Sequence, residues 1–229
     1  MVRESVLHQR GDYHAVIQEI KVNPDDDTYD VVQQCSTEFT FEGDSKGFEG
    51  ILAVKDINNQ IILMGLCEGN HCSEKYKNDR GNGRIVVMRK GLYGDDGCAW
   101  ETIRTLDIPG TCSFADYSAM ALNTADNRLA ITSQEDSQVW IGRLVGAQAN
   151  GLWDVGAMAF DPSVDQTLDF PKLEHKKKCS TVYCNIEGIT WLDNDTLLAA
   201  SDKTKGGGKQ DSRCMTKDQA VHIFALPTE

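Results

Sequence analysis

Three stretches of the chain share one arrangement of apolar and polar positions: FEGILAVKDINNQIILMGLCEGN from Phe48, YSAMALNTADNRLAITSQEDS from Tyr117 and IEGITWLDNDTLLAASDKT from Ile186. In each, a short apolar run leads through a turn rich in Asn and Asp into a second apolar run that stops at a polar pair. That is the signature of a β-hairpin. A third segment of alternating or β-branched character follows every hairpin: RIVVMRK from Arg84, SQVWIGRL from Ser137 and QAVHIFAL from Gln219. After the first two comes a fourth, WETIRTLDIP from Trp100 and LWDVGAMAF from Leu152. Four antiparallel strands recurring at roughly 70 residues predict an all-β chain built from the blades of a β-propeller. A β-sandwich accounts for the strands equally well, but not for the repeated polar ends.

The repeat divides a single propeller domain, 1–229, into an N-terminal extension over 1–12, outer strands of a first blade over 13–46, blades over 47–111 and 112–170, and a last blade over 171–229 that lacks its outer strand. The outer strands are YHAVIQEIKV from Tyr13 and YDVVQQCSTEF from Tyr29. About three and a half blades are visible. Ring closure then has three solutions: an N-terminal strand completes the last blade, the chain is a piece of a larger propeller, or two copies share one ring. Ile51, Ile62, Leu63, Ile131, Ile189, Leu197 and Leu198 are expected between blades.

The first strand of each blade lines the channel, and antiparallel pairing sets its start beside the end of the second strand. Glu49, Ser118 and Glu187 therefore share one mouth with Glu68, Gln134 and Asp202. Carboxylates brought together repel one another unless a cation neutralises them, so Glu49, Glu187, Glu68 and Asp202 are candidate ligands for a hard metal ion, calcium in particular. The competing reading is that each acid braces its own blade. Zinc is disfavoured because no His pair with zinc spacing stands near these positions.

Charge is segregated along the chain. The windows 69–84, 172–178 and 203–217 hold 13 of the 23 Lys and Arg and sum to +9, whereas the rest of the chain sums to −21. A positive rim on an acidic body attracts an anionic small molecule or a glycan, with Lys75, Arg80, Lys176, Lys177, Lys178, Lys203 and Arg213 as candidate ligand-binding residues. Solvated loops are the plainer explanation. Nucleic acid is not expected, given a pI near 4.8 and no aromatics interleaved among the lysines. No nucleophile elbow is present. His71 and Glu68, in the run CEGNHC, are the candidates for acid or base catalysis.

No apolar run reaches the length that a membrane span needs, and MVRESVLHQR lacks the apolar core of a secretory leader. Eight cysteines, with the short-range pairs Cys67/Cys72, Cys98/Cys112 and Cys179/Cys184, favour disulfides and an already processed, secreted chain over free thiols or a zinc site. The sequon at Asn194 agrees with secretion.

The strand starts FEGI and IEGI, with CEGN and SDK at the paired strand ends, resemble secreted calcium-dependent β-propellers of the phytase-like esterase and SdiA-regulated type. The resemblance covers Phe48 to Leu226 at the level of single blades, and Ser118-Ala119 departs from it in the middle blade. It implies a central calcium near Glu49 and Glu187 and hydrolysis of a phosphate or carboxylate ester by metal-activated water. The alternative is a non-catalytic propeller module that holds an anionic glycan or a partner protein, as a homo-oligomer or with a missing segment completing the ring.

Overall fold

The computed structural model describes residues 2–7, 11–43, 47–76, 78–91, 97–175, 178–181, 183, 185–202 and 219–227. Among the described residues the chain is all β, and no helix is long and apolar enough to cross a membrane. In chain order the strands are β1 (Val2–Leu7), β2 (Tyr13–Asn23), β3 (Thr28–Phe41), β4 (Phe48–Lys55), β5 (Ile61–Cys67), β6 (Arg84–Gly91), β7 (Ala99–Asp107), β8 (Ala119–Leu122), β9 (Arg128–Ser133), β10 (Gln138–Val145), β11 (Ala159–Asp169), β12 (Lys172–His175), β13 (Lys178–Thr181), β14 (Ile186–Trp191), β15 (Thr196–Ser201) and β16 (Ala220–Ala225).

The three hairpins expected from the repeat are β4–β5, β8–β9 and β14–β15. Each turn is organised by an Asx side chain that substitutes for backbone partners. Asp56 Oδ1 accepts from Asn58 N at 2.9 Å and Gln60 N at 2.8 Å, Asn123 Oδ1 from Ala125 N at 3.0 Å, and Asp193 Oδ1 from Asp195 N at 2.8 Å. Asn59 and Asn127 take the left-handed backbone at φ 61° and 62°, which Asn tolerates better than most residues.

Two antiparallel four-stranded units follow from these hairpins, β4-β5-β6-β7 and β8-β9-β10-β11, with a three-stranded one, β14-β15-β16. The first continues through a parallel contact between β7 and β3 into β2 and β1, making a curled seven-stranded sheet. The segments at 2–7 and 13–41 thus belong to the first unit's sheet. β12 and β13 form a separate hairpin.

The units stack face to face. Ile62, Met64, Leu66, Ile85 and Val87 of the first pack against Met120, Leu129, Ile131, Trp140 and Leu144 of the second. Ala130, Val139 and Ile141, on the second unit's other face, pack against Ile186, Leu197 and Ala199 of the third. Trp191 clamps that junction, donating from Nε1 to Ala121 O at 3.0 Å beneath the Arg128 guanidinium. The ribbon β2–β3 folds Ala15, Ile17, Cys35 and Phe41 over Leu63, Val86, Met88 and Trp100 on the first unit's remaining face. Of the residues expected between units, Ile62, Ile131 and Leu197 are buried there and Ile189 packs at the margin; Leu63 and Ile51 pack with the ribbon instead, and Leu198 is half-buried on the third unit's outward face.

Two expectations are corrected. The fourth strand of the second unit is β11, later in sequence than the run from Leu152. Trp153 is instead pinned to the first hairpin's turn, its N donating to Lys55 O at 2.9 Å and its O accepting from Ile57 N at 3.0 Å. The acidic, Pro-containing β11 carries the marks of an edge strand. Cys98 pairs with Cys35 rather than Cys112, which is free and buried. Cys67 does pair with Cys72. Two such bridges are consistent with an extracellular protein. Cys184 and the side chain of Cys179 lie outside the described residues.

Candidate functional site

The inner strands β4, β8 and β14 lie next to one another, and each hairpin brings its first strand's start beside its second strand's end. Glu68 N donates to Gly47 O at 3.2 Å, Ser118 N to Thr132 O at 2.9 Å and Asp202 N to Asn185 O at 3.0 Å. Between hairpins, Tyr117 N donates to Glu68 O at 2.8 Å and the buried Ser118 Oγ to Ile186 O at 2.7 Å. The mouth is therefore laced together by the backbone.

Glu49 and Glu187 sit at equivalent irregularities: the register slips between Phe48 and Gly50, and again between Ile186 and Gly188. Both Glu-Gly pairs are β-bulges. A Cβ on Gly50 would meet Met120 Cγ and N at 3.0 Å, so glycine here lets the neighbouring inner strand approach. Glu187 and Asp202 are exposed, and Asp202 Oδ1 accepts from Gln219 Nε2 at 3.0 Å. Among the described residues no three His, Cys, Asp or Glu side chains are placed to hold a metal ion. Glu49 and Glu68 belong to the first hairpin, and Glu187 and Asp202 to the third.

The loop from Glu68 to Gly83 is closed at its start by the Cys67–Cys72 bridge, and His71 and Cys72 both take left-handed backbone. His71 Nε2 stands 2.8 Å from Asp79 Oδ2 and Nδ1 stands 3.2 Å from Arg84 Nη2. A guanidinium only donates, so Nδ1 accepts and Nε2 carries the proton given to Asp79. Neither ring nitrogen is left for a substrate.

The described basic residues of this loop, Lys75, Arg80 and Arg84, are matched by acids from other segments. Lys75 Nζ is 3.1 Å from Glu42 Oε2, Arg80 Nη1 is 2.9 Å from Asp136 Oδ1, and Arg84 Nε is 3.4 Å from Asp107 Oδ1. Ser73 Oγ also donates to Glu42 at 2.7 Å, and this bond followed by Lys75 holds the Glu42 carboxyl below its ordinary range. Lys176, Lys177, Lys203 and Arg213 lie outside the described residues, as does the side chain of Lys178.

Sequence reasoning missed a buried polar cluster beneath the loop. Asn70 donates from Nδ2 to Phe114 O at 3.1 Å and accepts at Oδ1 from Asn82 N at 2.9 Å and Tyr117 Oη at 3.1 Å. Burial pushes the Tyr117 phenol up. Asp116 is 5% exposed, and burial raises its pKa to about 6. Asp and Tyr directly ahead of an apolar run look like any loop residues, so nothing in the local pattern signalled this.

The third unit's outward face is the other feature without a sequence signal. Strand pairing sets Leu66 opposite Ile85, Thr132 opposite Val139 and Ala200 opposite Val221. Two residues on, Met64 faces Val87, Ala130 faces Ile141 and Leu198 faces Ile223. Ile85 and Val87 are covered by the second unit, and Val139 and Ile141 by the third. Their counterparts Val221 and Ile223 are 65% and 66% exposed. Beside them, Gly188, Ala200 and Val221 line a shallow open depression of about 450 Å3 that reaches Glu187 and Asp202.

No protein-family model and no curated protein matches the chain. Among solved structures it is similar to a chain of a humanized mutant of the Chaetomium thermophilum Polycomb Repressive Complex 2 bound to an inhibitor, at 15% identity and a TM-score of 0.35, over 99% of this chain and 59% of that one. The corresponding Chaetomium thermophilum complex matches at 14% identity and a TM-score of 0.35, over 99% and 57%. The chain spans a little over half the length of these solved chains.

Proposed function

We propose that the chain is a secreted, propeller-type, non-catalytic module whose third sheet holds the β-structure of a partner protein. The observation that carries this is the position of Val221 and Ile223, exposed at the places where Ile85/Val87 and Val139/Ile141 are each covered by a neighbouring unit. Burying two branched side chains of this size is worth roughly 1.5–3 kcal/mol each, and a sheet face with this pattern is covered by strands in both of its internal precedents. The ester-hydrolase expectation loses its support at the loop, because both nitrogens of His71 are engaged and the described rim cations are paired. The anion-binding expectation loses the same cations.

Self-association, measured for the wild type and Ile223→Lys, tests the binding face. It should drop in the variant. A parallel screen of phosphate and carboxylate esters, with calcium and with chelator, should show no turnover above the chelated control. Turnover that survives Ile223→Lys refutes the module reading.

A further inference from the structure

The ribbon β2–β3 supplies a second uncovered apolar surface. Its base is buried on the first unit, but from Lys21 to Val32 every described residue except Asn23 is exposed. Ile20 pairs with Val31 and Val22 with Tyr29, so these four side chains share one ribbon face. Val22 is 62% exposed, Tyr29 55% and Val31 48%. Lys21 and Asp30, paired on the opposite face, make the ribbon amphipathic. A two-stranded ribbon is not stable in water without a sheet or helix to pack on.

We propose that the occupant of the third unit's open face is the outer half of this ribbon from a second copy of the chain, two copies exchanging ribbons as a closed two-fold pair. This rests on the reading of that face as a binding face. Two observations favour the ribbon over a separate partner. The pieces match in size: the face is a short strip of Leu198, Ala200, Val221 and Ile223, and the ribbon offers one strip of Ile20, Val22, Tyr29 and Val31. The depression beside Gly188 and Ala200 accepts a ring, and Tyr29 is the aromatic anchor that such contacts depend on. Reciprocal exchange satisfies both surfaces at once and closes the assembly, whereas one-way contacts propagate into filaments.

Sedimentation of the full chain tests this with Tyr29→Lys, which charges the ribbon, and Ile223→Lys, which charges the face. The wild type should run as a dimer and each variant as a monomer with an unchanged circular dichroism spectrum. An equimolar mixture of the two variants should recover dimers, at least tenfold weaker than the wild type, because one ribbon and one face remain intact in the mixed pair. Val22→Lys, on the same ribbon face, takes the place of Tyr29→Lys if that variant does not fold. Dimers lost in Ile223→Lys but kept in Tyr29→Lys would overturn the ribbon as occupant while leaving the open face as a binding face. A mixture that stays monomeric would overturn reciprocal exchange. Wild type and both variants behaving alike would overturn the exchange and the proposed function together.

Discussion

Asp116 sits where the entry to the second unit's inner strand bridges Gly69 of the loop after β5, and replacing it by Asn separates charge from shape. Oδ1 accepts from Ser133 Oγ at 2.5 Å and from Glu135 N at 3.1 Å, while Oδ2 is buried with no hydrogen-bond partner. Burial is the main cause of a pKa raised from 3.8 to about 6; the two hydrogen bonds oppose it, and the charges of Glu135 and Asp136 reinforce it. A carboxyl with a higher pKa in the folded chain is one the folded state prefers protonated. Its contribution is fully present below the unfolded value of 3.8, is lost as pH rises towards about 6, and is flat beyond. The shift is equivalent to about 3 kcal/mol. Asn does not titrate, so wild-type stability minus Asp116→Asn stability should fall by about that amount between about pH 3.5 and about pH 7.5. Any offset from the buried amide N–H is constant with pH and drops out of the comparison. Urea titrations at a series of pH values, with matched slopes as the two-state check, measure the difference. A difference that stays within about 0.5 kcal/mol over the range would refute the account.

The remaining predictions concern packing and crosslinks. Ile131, fully buried between the first two units, should lower unfolding free energy by about 2–5 kcal/mol when truncated to Ala, measured by urea denaturation. A Cβ at Gly65 would stand 2.8 Å from the Phe48 ring, so Gly65→Ala should cost about 1–3 kcal/mol and lower the thermal midpoint, whereas an unchanged midpoint would mean the ring moves freely. The Cys35–Cys98 bridge spans 63 residues and the Cys67–Cys72 bridge 5. On chain entropy Cys98→Ser should therefore destabilise by roughly 2 kcal/mol more than Cys72→Ser in the same assay.

The hairpins were legible because turn chemistry is local: the Asn and Asp clusters before Gln60, Arg128 and Thr196 act within a few residues of themselves. The Glu-Gly pairs were visible, but their backbone role was not: Gly50 admits the approach of Met120, and the register slips at the bulge. The pairing of Lys75 and Arg80 was hidden for a related reason. Counting along the chain assigns Lys75 and Arg80 to a positive rim, yet Glu42 and Asp136, which neutralise them, arrive from segments 33 and 56 residues away. Cys98 was paired with its neighbour in sequence, and the parallel contact of β3 with β7 brought Cys35 to it instead. The open face of the third unit has the same Val-x-Ile pattern as the covered face of the second, so periodicity alone could not tell them apart.

The parallel contact between β3 and β7 also sets an order of events during synthesis. Cys35, in the ribbon, leaves the ribosome 63 residues ahead of Cys98, an interval of roughly 3–13 s at about 5–20 residues per second. Through the first part of it the ribbon's apolar base has no sheet to lie on, and until its end the thiol has no native partner, while Cys67 and Cys72 emerge in between as competing ones. The ribbon can be locked by its bridge only after β7 has joined the sheet.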